Sequence, residues 1–165
     1  MAILFKHFRL KFLELIPLIL LFFISLNGIS VIDLNFFTVS LHFILVYYWV
    51  LREPKIITYG FIFLAGLIND VVYGIPLGCT PLALLAVSSI AAYARIVTVR
   101  RSLINDVVSF IPALLIGNFV YFLALYFSDF SIDYLYLFLN SIFTLIFYPI
   151  LWIMFSILIR VISVN

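Results

Sequence analysis

The sequence predicts an all-α integral membrane protein in which six transmembrane helices form one bundle, with the N- and C-termini both in the cytoplasm. Three observations predict this fold class. The chain is 67% hydrophobic and only 10% charged, its apolar sequence is interrupted at five places, and all nine Lys and Arg residues fall on one side of the resulting layout. Its mean hydropathy of +1.35 excludes an ordinary water-soluble domain.

The length of 165 residues sets the number of spans, because each span takes about 20 residues and the connections are short. Nothing is left over for a soluble domain, so we expect one polytopic membrane domain over residues 1–165. Strands are not expected, because the chain lacks sustained alternation and an open sheet leaves backbone groups unsatisfied in lipid. The predicted helices are 15–32, 34–51, 56–73, 81–99, 104–127 and 134–159.

Local signals mark the beginning of three of these spans. No cleavage site follows the basic N-terminal stretch, which indicates a retained first span instead of a signal peptide. Thr80 and Pro81 suit the cap and the first helical position of span four. Asp106 lies in the first turn of span five, where it favours the helix N-terminus and could pair with Arg100 or Arg101.

The basic residues predict the orientation. Positive charge concentrates on the cytoplasmic side of membrane proteins, and the other side here carries only Asp33, Asp129 and Asp133. Both termini are therefore expected in the cytoplasm, and the number of spans must be even. The nine basic residues are Lys6, Arg9, Lys11, Arg52, Lys55, Arg95, Arg100, Arg101 and Arg160.

Asp70 is the acidic residue that lies well inside a predicted span, in the outer half of span three. An ionisable group at such a position usually marks a functional site; the alternative is that Asp70 is solvated at the outer end, or neutral and hydrogen bonded. Gly66, Asp70 and Gly74 recur every four residues, which places small residues on one helix face where span four can pack closely. Ordinary packing is favoured over a partner site for this stripe.

Catalysis and metal binding find little support in the sequence. An aspartyl enzyme would need a second carboxylate at the depth of Asp70, and His42 has no nucleophile motif beside it. Cys79 and the two distant histidines cannot supply the usual set of metal ligands. We expect no enzyme activity, no cofactor and no nucleic-acid partner.

The third span and its outer turn read Gly66-Leu-Ile-Asn-Asp70-Val-Val-Tyr-Gly74-Ile-Pro76-Leu77-Gly78. This order resembles the G-L-x-x-D-x-x-x-G-x-P-L-G signature of the rod shape-determining protein MreD family, and the length and the alanine-rich fourth span are similar as well. The resemblance implies a non-catalytic scaffold of the bacterial inner membrane that acts in cell elongation and peptidoglycan synthesis. It implies MreC as the direct partner, and MreB, RodA, RodZ and a penicillin-binding transpeptidase as indirect ones.

By the same resemblance, Gly66, Asp70, Gly74, Pro76, Leu77 and Gly78 are the motif positions, and we expect them to shape the outer half of the bundle where a partner docks. The architecture of the family is also similar to the substrate-binding membrane subunits of energy-coupling factor vitamin transporters. Such a subunit needs a pocket near the outer face, into which Asn69, Asp70, Tyr73 and Asn118 could be drawn. This alternative function remains open at the level of the sequence.

Overall fold

The computed structural model describes residues 15–33, 38–98, 102–130 and 134–164, and it is 81% helical. Within these ranges six helices and two short strands follow one another. They are α1 (Ile16–Leu26), β1 (Val31–Asp33), β2 (Thr38–Ser40), α2 (Leu41–Arg52), α3 (Tyr59–Tyr73), α4 (Cys79–Val97), α5 (Leu103–Phe127) and α6 (Tyr134–Val164).

Three of these helices are long and apolar enough to cross a membrane. They are α4, α5 and the Leu135–Arg160 stretch of α6, with 19, 25 and 26 residues against the ~20 that ~30 Å of hydrocarbon requires. The helices α1, α2 and α3 are apolar but shorter, with 11, 12 and 15 residues. These dimensions are compatible with a membrane protein.

The segment between α1 and α2 departs from the all-helical prediction. Spans were expected over 15–32 and 34–51, but α1 ends at Leu26 and α2 begins only at Leu41. Between them β1 pairs antiparallel with β2, so that Val31 lies opposite Ser40. Asn27 ends α1 by donating both its backbone N–H and its side-chain amide to the Phe23 carbonyl, and Gly28 follows with a φ of +64° that continues no helix.

The strand residues themselves favour the extended conformation, because Val31, Thr38 and Val39 are β-branched. We call this pair of strands the ribbon. Its second strand packs on α6, where the backbone N–H of Ser40 donates to the Thr144 hydroxyl at 2.9 Å. A polar group of the ribbon backbone is thereby satisfied inside the protein, which an open strand in an apolar surrounding would not achieve.

Helix α2 lies at the centre of the fold. Its residues 42–51 are all buried, and it contacts α1, α4, α5 and α6. Tyr47 packs against Phe110 of α5 and Tyr148 of α6, with ring centroids 4.9 and 5.8 Å away. Helix α2 is short, but strand β2 leads directly into it at Leu41, so that the two together form the central segment.

Helices α4, α5 and α6 surround this centre with different surfaces. The alanines of α4 that face inward are fully buried, Ala83 and Ala91 among them, and small residues allow helices to approach closely. By contrast, α5 and α6 keep many large apolar side chains exposed, such as Leu115 and Phe119 at 60% and 59%. Exposed apolar area of this extent marks a surface covered by lipid or by another protein.

Candidate functional site

The candidate site is the turn between α3 and α4 together with the end of α3, where the motif positions lie. Asp70 lies in the last turn of α3 and is completely buried. One oxygen of its carboxylate, Oδ2, accepts the backbone N–H of Gly78 at 2.7 Å, and Oδ1 accepts that of Thr80 at 3.0 Å. Asp70 therefore caps the N-terminus of the next helix, where backbone N–H groups and the helix dipole both favour a carboxylate.

This geometry corrects two of the sequence-based interpretations. The alternative that Asp70 is solvated at the outer end of its span is wrong, because its side chain has no solvent exposure. Thr80 does not cap α4, since the helix begins at Cys79 after the N-cap residue Gly78, which has no side chain to offer. The capping acceptor comes from the preceding helix, so α3, the turn and α4 form one hydrogen-bonded unit.

The glycines of the motif are required for two different structural reasons, a close contact between helices and a left-handed backbone. A Cβ on Gly66 would lie only 2.7 Å from the backbone N and Cα of Pro81, so α3 and α4 touch there through their main chains. Gly74 ends α3 with a φ of +65°, and Gly78 has a φ of +106°, a region that side chains rarely adopt. The close approach that the stripe predicted therefore occurs at Gly66.

At Gly74 the packing interpretation is wrong, since an added Cβ would meet nothing within 4 Å. The residue is needed for its left-handed backbone instead. Its N–H bonds back to the carbonyls of Asp70 and Val71, and the N–H of Ile75 also bonds to the Asp70 carbonyl, at 2.9 Å. These bonds satisfy carbonyls that the helix end would otherwise leave free.

The remaining two motif positions shape the tip of the turn. The carbonyl of Pro76 accepts the N–H of Cys79 at 3.3 Å, which closes the chain into α4. Leu77 is 70% exposed, so its side chain contributes little to the packing of this chain. The fixed turn thus presents one large apolar side chain outward, at the same end of the protein as the ribbon.

A cavity of about 250 Å³ lies beside this turn. It is bounded by the ribbon and by helices α2, α3, α4, α5 and α6. The hydroxyl of Tyr73 closes its rim by donating to the Gly28 carbonyl. Of the four residues that the alternative function would draw into a pocket, Asn69, Tyr73 and Asn118 line the cavity. Asp70 does not.

Two polar side chains of the helices, Asn118 and His42, form hydrogen bonds to a neighbouring helix. Asn118 of α5 donates from its side-chain amide to the Ser141 hydroxyl of α6 at 2.8 Å, a hydrogen bond across helices. His42 lies 2.9 Å from the Ser25 hydroxyl through Nε2, and that hydroxyl donates to the Leu21 carbonyl at 3.0 Å. This contact links α1 to α2 through two buried polar side chains.

At the opposite end of the protein the structure shows a partner of Asp106 that the sequence did not suggest. This residue is 1% exposed, and its Oδ2 accepts from Arg52 at 3.1 Å and from the Trp152 indole at 2.7 Å. The guanidinium of Arg52 also lies over the rings of Tyr48 and Trp152, 5.6 and 5.3 Å from their centroids. Arg100 and Arg101, the partners that the sequence suggested, lie outside the described residues.

A second polar cluster was missed by sequence reasoning. The hydroxyl of Ser40 donates to the side-chain oxygen of Asn140 at 2.7 Å, and Thr144 donates to the same oxygen at 3.1 Å. Asn140 and Thr144 are four residues apart and so share one face of a helix, which was the available signal. This cluster holds the ribbon against α6.

No family model matches the chain, and no curated protein and no solved structure matches it either.

Proposed function

We propose that this chain is a non-catalytic inner-membrane scaffold of the bacterial cell elongation machinery, as the resemblance of residues 66–78 to the MreD signature implies. Its direct partner is an MreC-like protein with one membrane span and a periplasmic stem. Through that partner it acts with MreB, RodA, RodZ and a penicillin-binding transpeptidase in lateral peptidoglycan synthesis.

The observation that carries this proposal is that the motif residues have two different roles, since some hold the turn in place and one is exposed on it. Gly66, Asp70, Gly74 and Gly78 act inside the chain, through a backbone contact, a capping carboxylate and two left-handed residues. Leu77 does not, since it is 70% exposed. Four residues that make one turn rigid and one that it displays are what a docking site requires, because a preformed site costs less ordering on binding.

The membrane topology that accompanies this proposal is six spans with both termini in the cytoplasm. It is supported by the charges at the two ends of the protein. Arg52 and Lys55 lie at the end opposite the ribbon, and Arg95 lies near the end of α4 on that same side. The ribbon end has no Lys or Arg within the ranges that the structure describes, and the positive-inside rule then assigns it to the periplasm.

The short helices fit this topology through their connections. At ~1.5 Å per residue α2 is only ~18 Å long, but the ribbon extends its path toward the same face as the α3–α4 turn. Irregular backbone is tolerated at membrane depth where protein surrounds it. Ser40 of the ribbon meets that condition, being hydrogen bonded to Asn140 and Thr144.

The test is capture of the tagged chain from its native membrane in mild detergent, with mass spectrometry of the attached proteins. Recovery of an MreC-like protein with cell wall synthases is expected. Leu77→Ser should reduce this recovery by about tenfold, which corresponds to the loss of about 1.4 kcal/mol of binding free energy at a central contact. Ile104→Ser is the matched control, because Ile104 is 71% exposed at the other end of the protein and should retain its partners.

One observation favours a second candidate function, the substrate-binding subunit of a vitamin transporter of the energy-coupling factor type. It is the cavity, which three of the four suggested residues line. The same capture experiment separates the candidates. Recovery of a pair of ATPases with a transmembrane coupling subunit would overturn the scaffold function and support the transporter.

A further inference from the structure

The end of the protein opposite the ribbon has two basic side chains without an acidic partner. Within the described residues the ion pair at this end joins Arg52 to Asp106, and neither Lys55 nor Arg95 takes part in an ion pair or a hydrogen bond. Glu53, the other acidic residue of this end in the described chain, is exposed and forms no ion pair. Lys55 is exposed and Arg95 is partly exposed, so both can take an anion from outside the chain.

The register between α3 and α4 places these two side chains at the same level. Gly66 of α3 touches Pro81 of α4, and Arg95 lies about 21 Å further along α4 at ~1.5 Å per residue. In the same direction the first residue of α3 lies only about 10 Å from Gly66. Arg95 therefore extends about 10 Å beyond the beginning of α3. That is the level of residues 53–58, the connection between α2 and α3 that contains Lys55.

The same register places Arg95 on the side of α4 that faces α3. Pro81 is the residue of α4 that contacts Gly66, and the 14 residues from Pro81 to Arg95 make about 3.9 turns of helix. Arg95 therefore has nearly the same direction from the helix axis as Pro81. Because α3 does not extend to this level, that helix leaves Arg95 uncovered. The guanidinium lies on the side of α4 where the connection that contains Lys55 enters α3.

The surroundings of these cations indicate which anion they take. Three side chains near the end of α4, those of Tyr93, Ile96 and Val97, are 67%, 79% and 57% exposed. In a membrane protein such apolar area is covered by lipid chains, and a nearby arginine extends along the helix toward the headgroups. An acidic segment of a water-soluble protein would leave this apolar area uncovered, whereas a phospholipid brings its phosphate and its apolar chains together.

We propose that Arg95 and Lys55 bind the phosphate group of an anionic phospholipid of the surrounding membrane. Arg95 donates parallel N–H bonds to two phosphate oxygens, and the ammonium group of Lys55 is a point charge beside them. Basic side chains between membrane helices hold lipid headgroups in this way, and a zwitterionic lipid would bring a third cation to the site. The proposal requires only that the chain lies in a membrane, so its failure would leave both proposed functions and their capture experiment unaffected.

The test compares two phospholipids that have the same chains and the same phosphate diester. Phosphatidylglycerol is anionic, and phosphatidylcholine is zwitterionic. The tagged full chain is delipidated in mild detergent, incubated with an equimolar mixture of the two lipids and recaptured, and the lipids bound to it are quantified by mass spectrometry. The wild-type chain is expected to retain phosphatidylglycerol over phosphatidylcholine by about tenfold, as two basic residues beside one headgroup imply.

Substitutions of the basic residues locate the binding site. Arg95→Gln should lower the preference to about twofold or less, and Lys55→Gln should lower it to about threefold. Arg95→Lys should retain part of it, because the charge remains but the two parallel bonds are lost. Arg160→Gln is the matched control and should keep the full preference. It removes the same charge from an exposed position on α6, whereas α4 packs on α2, α3 and α5.

Several outcomes would overturn the proposal. Equal retention of the two lipids by the wild-type chain does so even if a variant fails to fold. An equal loss of preference in Arg95→Gln and Arg160→Gln shows general attraction between charges instead of a site. Displacement of phosphatidylglycerol by an excess of inorganic phosphate shows a site for free phosphate, and displacement by poly-glutamate shows a site for an acidic protein segment.

Discussion

The sharpest structural consequence of the motif concerns the substitution Gly66→Ala. The new Cβ would lie 2.7 Å from the backbone of Pro81, whereas ordinary contact begins at about 3.4 Å. Helices α3 and α4 must therefore separate locally by about 0.7 Å, the difference between these two distances. A flexible side chain could turn away from the new methyl group. The two atoms nearest to the methyl group are instead the main-chain N and Cα of Pro81, which cannot.

The surroundings of Pro81 make this separation costly. Its neighbour Thr80 and the preceding Gly78 are both held by the carboxylate of Asp70, so a shift of Pro81 stretches those hydrogen bonds. Overpacking of a well-packed interface typically costs about 1–3 kcal/mol, and we expect about 2 kcal/mol for Gly66→Ala. Against a total stability of roughly 5–15 kcal/mol, this loss is readily measured.

The assay is equilibrium unfolding of the purified chain in micelles of mild detergent titrated with dodecyl sulfate, followed by far-UV circular dichroism. Gly60→Ala is the matched control, because Gly60 is on the same helix and a Cβ there would meet nothing within 4 Å. It should be neutral or stabilising by up to ~1 kcal/mol. If Gly66→Ala unfolds at the same midpoint as Gly60→Ala, the backbone contact between α3 and α4 is not what requires the glycine.

Substitutions at Asp70, Gly74 and Arg52 test the turn and the opposite end of the protein in the same unfolding assay. Asp70→Asn replaces one of two backbone-binding oxygens by a donor, and it should cost about 1–3 kcal/mol but less than Asp70→Ala; equal losses would refute the capping role. Gly74→Ala and Gly74→Leu should both cost about 1–2 kcal/mol, because the left-handed backbone sets the penalty, and a much larger loss for leucine would restore the packing interpretation. Arg52→Ala should cost about 3 kcal/mol by leaving the buried Asp106 without its cation, whereas Lys55→Ala, at an exposed site, should be near neutral.

Much of the helical order could be predicted because apolar stretches and turn residues alternate clearly after residue 55. The structure places α5 over Leu103–Phe127 and α6 over Tyr134–Val164, against predictions of 104–127 and 134–159. Helix α6 continues past Arg160 because a single basic residue near a helix end does not stop it. Arginine can extend along the helix toward water while the backbone remains helical.

The ribbon could not be predicted, and the reason lies in its composition. Each strand has three residues, too few for alternation to show, and β-branched apolar residues suit a buried strand and a membrane helix equally well. Gly28 was the one available signal, since a glycine with positive φ ends a helix.

Hydrogen-bond partners that are distant in sequence could not be predicted either. Asp106 bonds to Arg52, 54 residues away, although Arg101 and Arg100, five and six residues away in the sequence, suggested a local partner. Asp70 bonds to backbone N–H groups, and such groups are present at every residue except proline, so no residue pattern reveals them. The motif positions cluster around one turn, but the hydrogen bonds that hold this turn could not be predicted from the sequence.

The turn also connects the two surfaces that the two proposed functions would use, the exposed Leu77 and the cavity. Thr80 is held by Asp70 through its N–H and by Asn69 through its hydroxyl, and both Thr80 and Asn69 line the cavity. A substitution at Asp70 therefore moves the display of Leu77 and the shape of the cavity together. Loss of function in such a variant cannot distinguish a scaffold from a ligand-binding protein. Leu77→Ser and Leu137→Trp can distinguish the two functions. Leu77→Ser alters only the exposed side chain, Leu137→Trp fills only the cavity that Leu137 lines, and both leave the Asp70 carboxylate in place.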